Sequence, residues 1–196
     1  RNVHAPRGQR LRYLTDEEEA ALVAELPDQP ALDLVTFALH TGLRQGEQFG
    51  LRWEWIDFNA RTLRLPVSKN GYAHAVPLND TVLDILRRQA RPLEGGRIWR
   101  VPNRNSAHNF YQRVFVPALK RASIEDFRWH DLRHTFASRL VMAGEDIRTV
   151  ADLLGHRNIQ MTMRYAHLSP GHRLTAVQKL LGGQRINLNV QSSGLV

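Results

Sequence analysis

Residues 130–165 read HDLRHTFASRLVMAGEDIRTVADLLGHRNIQMTMRY. Apolar residues recur there at helical spacing, and Gly144 and Gly155 interrupt them where helices would stop. The spacing predicts three helices, about Trp129 to Ala143, Ile147 to Leu154 and Asn158 to Ala166, with Asp146 and Asn158 as N-caps. His130 and Arg133 stand three residues apart on the first helix, so imidazole and guanidinium share one face and can reach one anion. His156 follows the Gly155 stop, and Tyr165 comes nine residues later on the next helix.

Upstream, local signals divide the chain in the same way. Thr15 and Glu18 form a capping box, with Asp16 and Glu17 adding negative charge to the first turn. That helix points Leu22, Val23 and Leu26 inward and stops before Pro27. A second runs from about Pro30 to His40, with Leu32, Val35 and Leu39 on its buried side, and Thr41-Gly42 ends it. From Gly50 to Leu78 the pattern changes. Trp53, Trp55, Ile56, Phe58, Leu63, Leu65 and Val67 alternate well enough for short strands, with turns at Asn59-Ala60 and Asn70-Gly71 and a returning strand through Val76 before Pro77. Asn79 then caps a helix carrying Val82, Leu83 and Leu86. After a Gly/Pro-rich stretch, further helices are predicted at Ser106 to Arg121 and Pro170 to Leu181. The fold class is α+β, predominantly α-helical with a small antiparallel β-sheet, in one domain over residues 15–181. Residues 1–14 read as a basic, flexible linker and 182–196 as a polar tail.

The 196 residues carry 27 Lys plus Arg against 19 Asp plus Glu, a net charge of +8. Such a surplus favours a polyanionic partner, nucleic acid above all, through counterion release. The chain has no Cys, which excludes disulfides, thiolate catalysis and thiolate metal sites and suits a reducing cytoplasm. No apolar run is long enough to cross a membrane as a helix, and no secretory leader is present. The first residue is Arg1 rather than Met, so a fragment of a longer protein is expected.

Gly-rich phosphate loop, HExxH, nucleophile elbow and metal-spaced acidic triad are all missing from the sequence. No cofactor and no metal is therefore expected. If the chain handles phosphates, its own cations must neutralise the non-bridging oxygens. Four clusters could do so. Thr41-Gly42-Leu43-Arg44-Gln45-Gly46-Glu47 places Arg44 at a helix junction. Ser68-Lys69-Asn70-Gly71 places Lys69 beside a hairpin tip. The third is His130 with Arg133, and the fourth is Leu153-Leu154-Gly155-His156 with Tyr165. Taken singly, each has an ordinary reading: Arg44, Lys69 and the His130–Arg133 pair as solvated surface, His156 as a helix C-terminal cap, and Tyr165 as a half-buried core tyrosine.

Taken together, in this order and spacing, the clusters resemble the catalytic domain of tyrosine recombinases, the family of phage integrases and chromosome-dimer resolvases. The likeness runs from about Leu14 to Leu181 and is densest over His130–Leu140 and Leu153–Tyr165. It implies the tyrosine recombinase catalytic-domain fold and fills all six active-site positions of that family: Arg44, Lys69, His130, Arg133, His156 and Tyr165. By that resemblance Tyr165 attacks a backbone phosphate to give a 3′-phosphotyrosyl intermediate and a free 5′-hydroxyl. Arg44 and Arg133 clamp the non-bridging oxygens, Lys69 protonates the leaving 5′-oxygen, His130 assists proton transfer at the tyrosine, and His156 donates to the phosphate. Glu47 is read as a buttress of the Arg44 segment, His134 as packing or supporting a site residue from behind without belonging to the site, and His167 as structural. One departure stands out. Where the family often has an Arg before a Val-Pro-Leu strand end, this chain has His74-Ala75-Val76-Pro77-Leu78, which puts an auxiliary phosphate contact in doubt but not the chemistry.

The resemblance also implies double-stranded DNA as substrate, a tetramer of protomers on DNA with the C-terminal tail docking on a neighbour, and a missing N-terminal DNA-binding domain in the parent chain. It places the protein in the bacterial cytoplasm, at the nucleoid. Three rivals remain: a type IB topoisomerase, a silenced relative that only binds DNA, and an RNA-binding helical module. The compact motif set with His156 opposes the first and the complete set of six residues the second. The third calls for exposed stacking aromatics beyond four Trp and four Tyr placed mostly in the core.

Overall fold

A single helix, α7 (Trp129–Met142), organises the domain, because it is buried on nearly every side. The computed structural model describes residues 10–66, 74–99 and 106–170. One side of α7 contributes Trp129 and Leu132 to the main core, alongside Leu22, Phe37, Trp53, Leu63, Leu86 and Phe115. Its opposite side adds Ala137 and Val141 to a smaller cluster with Val150, Leu154 and Tyr165. Two of the buried polar side chains of this helix, Thr135 and Asp131, are bonded internally. Thr135 Oγ1 accepts from Leu14 N–H at 3.0 Å and donates to the Asp131 carbonyl at 2.8 Å. The Asp131 carboxylate accepts from the Arg128 N–H at 2.7 Å and the Arg10 guanidinium at 3.0 Å.

Leu14 is 1% exposed, and the Arg12 guanidinium lies 5.4 Å from the Phe127 ring centroid. The expectation of a flexible linker therefore fails for residues 10–14, which are held by these long-range contacts; residues 1–9 lie outside the described residues.

The helical expectations that rest on the caps at Thr15, Asn79 and Asp146 match the structure. α1 (Asp16–Ala24) opens on the complete Thr15–Glu18 capping box. α2 (Gln29–Thr41) starts at Asp28, whose carboxylate accepts from Ala31 N–H, and ends at Gly42 with φ +61°. A Cβ on Gly42 would sit 2.4 Å from Phe136 Cδ1, so glycine serves both the left-handed turn and the close approach of α7. α3 (Gln45–Phe49) is short, α4 (Asp80–Arg88) is capped by Asn79, and α8 (Ile147–Leu153) by Asp146.

β1 (Ile56–Asp57), β2 (Thr62–Leu65) and β3 (His74–Pro77) form an antiparallel sheet in that order, with Leu63 opposite Val76 and Leu65 opposite His74. Trp53–Trp55, expected in a strand, is a 3₁₀ turn. The Trp53 N–H bonds the Gly96 carbonyl instead of a sheet neighbour, and its buried ring stacks on Phe58. The hairpin tip, with Lys69 and Asn70-Gly71, lies outside the described residues.

Two helices expected to be continuous are not. Ser106–Arg121 consists of α5 (Ser106–Phe110), a π turn (Tyr111–Phe115) and α6 (Val116–Arg121). Pro117 explains the wide turn, since its ring cannot donate to the carbonyl of Arg113 and would clash with it. Asn158 to Ala166 is likewise no α-helix but two 3₁₀ turns, Ile159–Met161 and Met163–Leu168. Thr162, fully buried between them, commits its hydroxyl to His156, and the N–H groups of Met161, Thr162 and Tyr165 bond three residues back. The expected helix from Pro170 and the tail fall beyond the described residues, which end at Pro170.

Candidate active site

Four segments bring their ends to one cleft of about 180 Å³, lined by Arg44, His130, Arg133, His134, His156, Met161, Arg164 and Tyr165. Five of the six expected residues therefore converge, and Lys69 lies outside the described residues.

Arg133 is the structural centre. It is 3% exposed, yet its charge is shared among fixed acceptors. Nη1 donates to the Gly42 carbonyl at 2.7 Å and Nη2 to the Leu154 carbonyl at 2.5 Å. Both oxygens belong to helix C-terminal ends, where the backbone dipole is negative. The cap glycine of α2 and the last turn of α8 thus hold one cation in a fixed orientation. Burial, and then the neighbouring Arg44, lower its pKa to about 10, which leaves it charged at neutral pH.

Arg133 Nη2 also lies 3.1 Å from His156 Nε2. A guanidinium only donates, so Nε2 is the acceptor and the ring proton sits on Nδ1, which is 2.9 Å from Thr162 Oγ1. Burial, with Arg133 and Arg44 adding to it, lowers the His156 pKa to about 4. Gly155 sets this residue's entry. Its φ is +62°, and a Cβ there would meet the His74 ring at 3.0 Å. His74 in turn donates from Nε2 to the Asp152 carbonyl at 3.0 Å. The residue standing where the family often has an Arg thus ties β3 to α8.

Arg44 is the exposed cation of the cleft. Its Nη1 pairs with Glu47 Oε1 at 2.7 Å, and its N–H donates to Glu47 Oε2 at 2.8 Å. Glu47 accordingly buttresses the α3 N-terminus, as its position predicts. His130, on the first turn of α7, is exposed, and burial of part of its ring, together with Arg133, lowers its pKa.

Tyr165 is 1% exposed, and its hydroxyl lies 2.6 Å from His134 Nδ1. Burial raises its pKa to about 12, against the pull of Arg164 and Arg133. His134, read from the sequence as lying outside the site, therefore touches the candidate nucleophile. A signal for it was present: His130 and His134 are four apart on one helix and share a face. Arg164 was also missed. It lines the cleft with Nε buried and unpartnered, and no helical periodicity could place it, because its segment is a 3₁₀ turn.

Three guanidinium groups converge here on a space with two nearby carboxylates, Glu47 and Asp131, so the cleft is suited to an anion. Among the described residues no group of three or more His, Cys, Asp or Glu side chains could hold a metal ion, and no helix is long and apolar enough to cross a membrane. Trp53, Trp99 and Trp129 are buried and so are not exposed stacking surfaces.

The sequence model of the phage integrase family matches residues 12–172. The integrase of Salmonella phage P22 is 37% identical over 186 residues, covering 87% of this chain and 47% of that protein. A shufflon-specific DNA recombinase of Escherichia coli is 34% identical over 162 residues, covering 81% of this chain and 41% of that protein. The chain thus spans less than half the length of either relative. Among solved structures, the catalytic domain of bacteriophage HP1 integrase superposes with a TM-score of 0.70 at 31% identity, covering 86% of this chain and 95% of that one.

Proposed function

Since this chain belongs to the phage integrase family, we propose that it is the catalytic domain of a site-specific tyrosine recombinase that cuts and rejoins double-stranded DNA. The observation that carries the reading is the convergence of Arg44, His130, Arg133, His156 and Tyr165 on one cationic cleft.

A scissile phosphate in that cleft meets Arg133, already oriented by two carbonyls, and Arg44, which is free to turn from Glu47. Planar, permanently charged forks stabilise the non-bridging oxygens as negative charge builds in the transition state. Tyr165 attacks phosphorus, the 3′-phosphotyrosyl bond forms, and the 5′-oxygen leaves with a proton from Lys69, the general acid that the family pattern assigns. The family pattern assigns His130 to assist the proton transfer at the tyrosine. His156 donates to the phosphate once Nε2 gains a proton. In the DNA-free cleft that nitrogen accepts from Arg133, and an arriving phosphate offsets the cations that keep the ring neutral. Because the covalent link keeps the phosphodiester energy, a second 5′-hydroxyl reverses the step without ATP.

The partners in this reading are duplex DNA, favoured by the net charge of +8, and further protomers in a tetramer, with residues after Leu181 as a docking tail. A separate N-terminal DNA-binding domain in the parent chain completes the grip, and the working place is the bacterial nucleoid. A trapping assay tests the chemistry. In EDTA, duplex DNA nicked beside the scissile phosphate is expected to yield a denaturation-resistant protein–DNA adduct, absent with Tyr165→Phe. Adduct formation by that variant would remove Tyr165 as nucleophile.

A further inference from the structure

The hydroxyl of Tyr165 is hydrogen-bonded to His134 Nδ1 at 2.6 Å, and among the described residues no hydrogen bond joins it to His130. His130 stands one helical turn earlier, with its ring edge-on to that of His134 at 4.9 Å between centroids. His134 comes from α7 and Tyr165 from the 3₁₀ turn Met163–Leu168, so tertiary packing alone sets the contact. We propose that His134 is a catalytic residue, the group that receives the Tyr165 proton when the phenolic oxygen attacks phosphorus. The inference rests on the assignment of Tyr165 as nucleophile.

The protonation states of the DNA-free cleft suit this role. Burial first, and then the charges of His130, Arg164, Arg133 and Arg10, hold the His134 pKa down at about 4, while burial raises that of Tyr165 to about 12. The phenol is therefore protonated and the imidazole neutral. With the ring proton on Nε2, the hydroxyl donates to Nδ1, the arrangement that proton transfer to His134 requires. Transfer to His134 is unfavourable while the net charge of His130, Arg164, Arg133 and Arg10 lowers its basicity. A phosphodiester beside Arg44 and Arg133 brings one negative charge, and the transition state develops a second, so the imidazolium gains its counter-charge only with substrate in place. The step balances. As the Oη–P bond forms, the Oη–H bond breaks and its proton passes to Nδ1; the P–O5′ bond breaks, and the 5′-oxygen takes its proton from the general acid. In the reverse step the imidazolium returns its proton to the phenolic oxygen.

Single-turnover adduct formation on nicked duplex separates this role from a structural one. His134→Ala and His134→Gln are each expected to slow the adduct by about 100-fold or more, with thermal unfolding and DNA binding followed in parallel. Free imidazole is expected to restore His134→Ala at least about tenfold, tracking the neutral fraction of the added base, and to leave His134→Gln slow, because the amide fills the space. A His134→Gln variant at the native rate would overturn the proposal. So would a folded, DNA-binding His134→Ala that imidazole does not restore. The adduct of the unaltered chain reports on Tyr165 itself, independently of these ratios. Ring ¹⁵N shifts supply a readout that needs no turnover: a neutral His134 with its proton on Nε2 is expected at pH 7, and a proton on Nδ1 would rule out the acceptor role.

Discussion

The guanidinium of Arg133 donates to His156 Nε2 at 3.1 Å while its other bonds run to the carbonyls of Gly42 and Leu154. One buried cation thus fixes the tautomer of a neighbouring imidazole and joins the C-terminal ends of α2 and α8. The orientation of Arg133 is set before any substrate enters, so little reorganisation of that group is left for the transition state.

Arg133→Ala is expected to lower adduct formation by roughly two to three orders of magnitude, by analogy with removing one preorganised transition-state donor. Arg133→Lys should recover little, because one ammonium cannot span two carbonyls from distant segments, an imidazole and a phosphate in a planar fork. Single-turnover rates check this. Adduct formation within a few-fold of the unaltered rate in Arg133→Lys would show that charge alone suffices.

Gly42→Ala tests the close contact behind the cleft. The backbone there has φ +61°, and the added Cβ would sit 2.4 Å from Phe136 Cδ1. Left-handed backbone and overpacking together should cost roughly 2–4 kcal/mol, read from urea unfolding. Activity should fall as well, since the Gly42 carbonyl orients Arg133. A loss below about 1 kcal/mol would mean that the Phe136 ring turns aside freely.

The buried His134 should make the DNA-free protein acid-sensitive. Its folded pKa is lowered from 6.5 to about 4, chiefly by burial, so the unfolded chain binds the proton more readily. Its contribution is full above pH 6.5, is lost as pH falls from 6.5 towards 4, and levels off below the folded pKa. The loss is on the order of 3 kcal/mol, and His156 adds to it in the same direction. Denaturant unfolding from pH 8 to pH 4 measures it. The stability gap between the unaltered chain and His134→Gln should narrow across that window, and a constant gap would contradict the account.

Features that depend on neighbours in sequence are legible from the chain alone. The Thr15–Glu18 capping box, the Asn79 and Asp146 caps and the glycine stops at Gly42 and Gly155 act within one turn of backbone, so their chemistry is local. The pairing of His130 with Arg133 follows from helix geometry, and the spacing of the motifs identifies the family and five of the residues that gather at the cleft. Departures arise where a distant partner overrides local preference. The basic character of residues 10–14 reads as a linker, but Thr135 and Asp131 hold that segment against α7 through Leu14 and Arg10. Thr162 bonds His156 and tightens the last segment into 3₁₀ turns. The hydrogen bond between His134 and Tyr165 joins residues 31 positions apart. Which histidine meets the nucleophile depends on how α7 packs against that turn, and such packing is a sum over the whole core that no local pattern encodes.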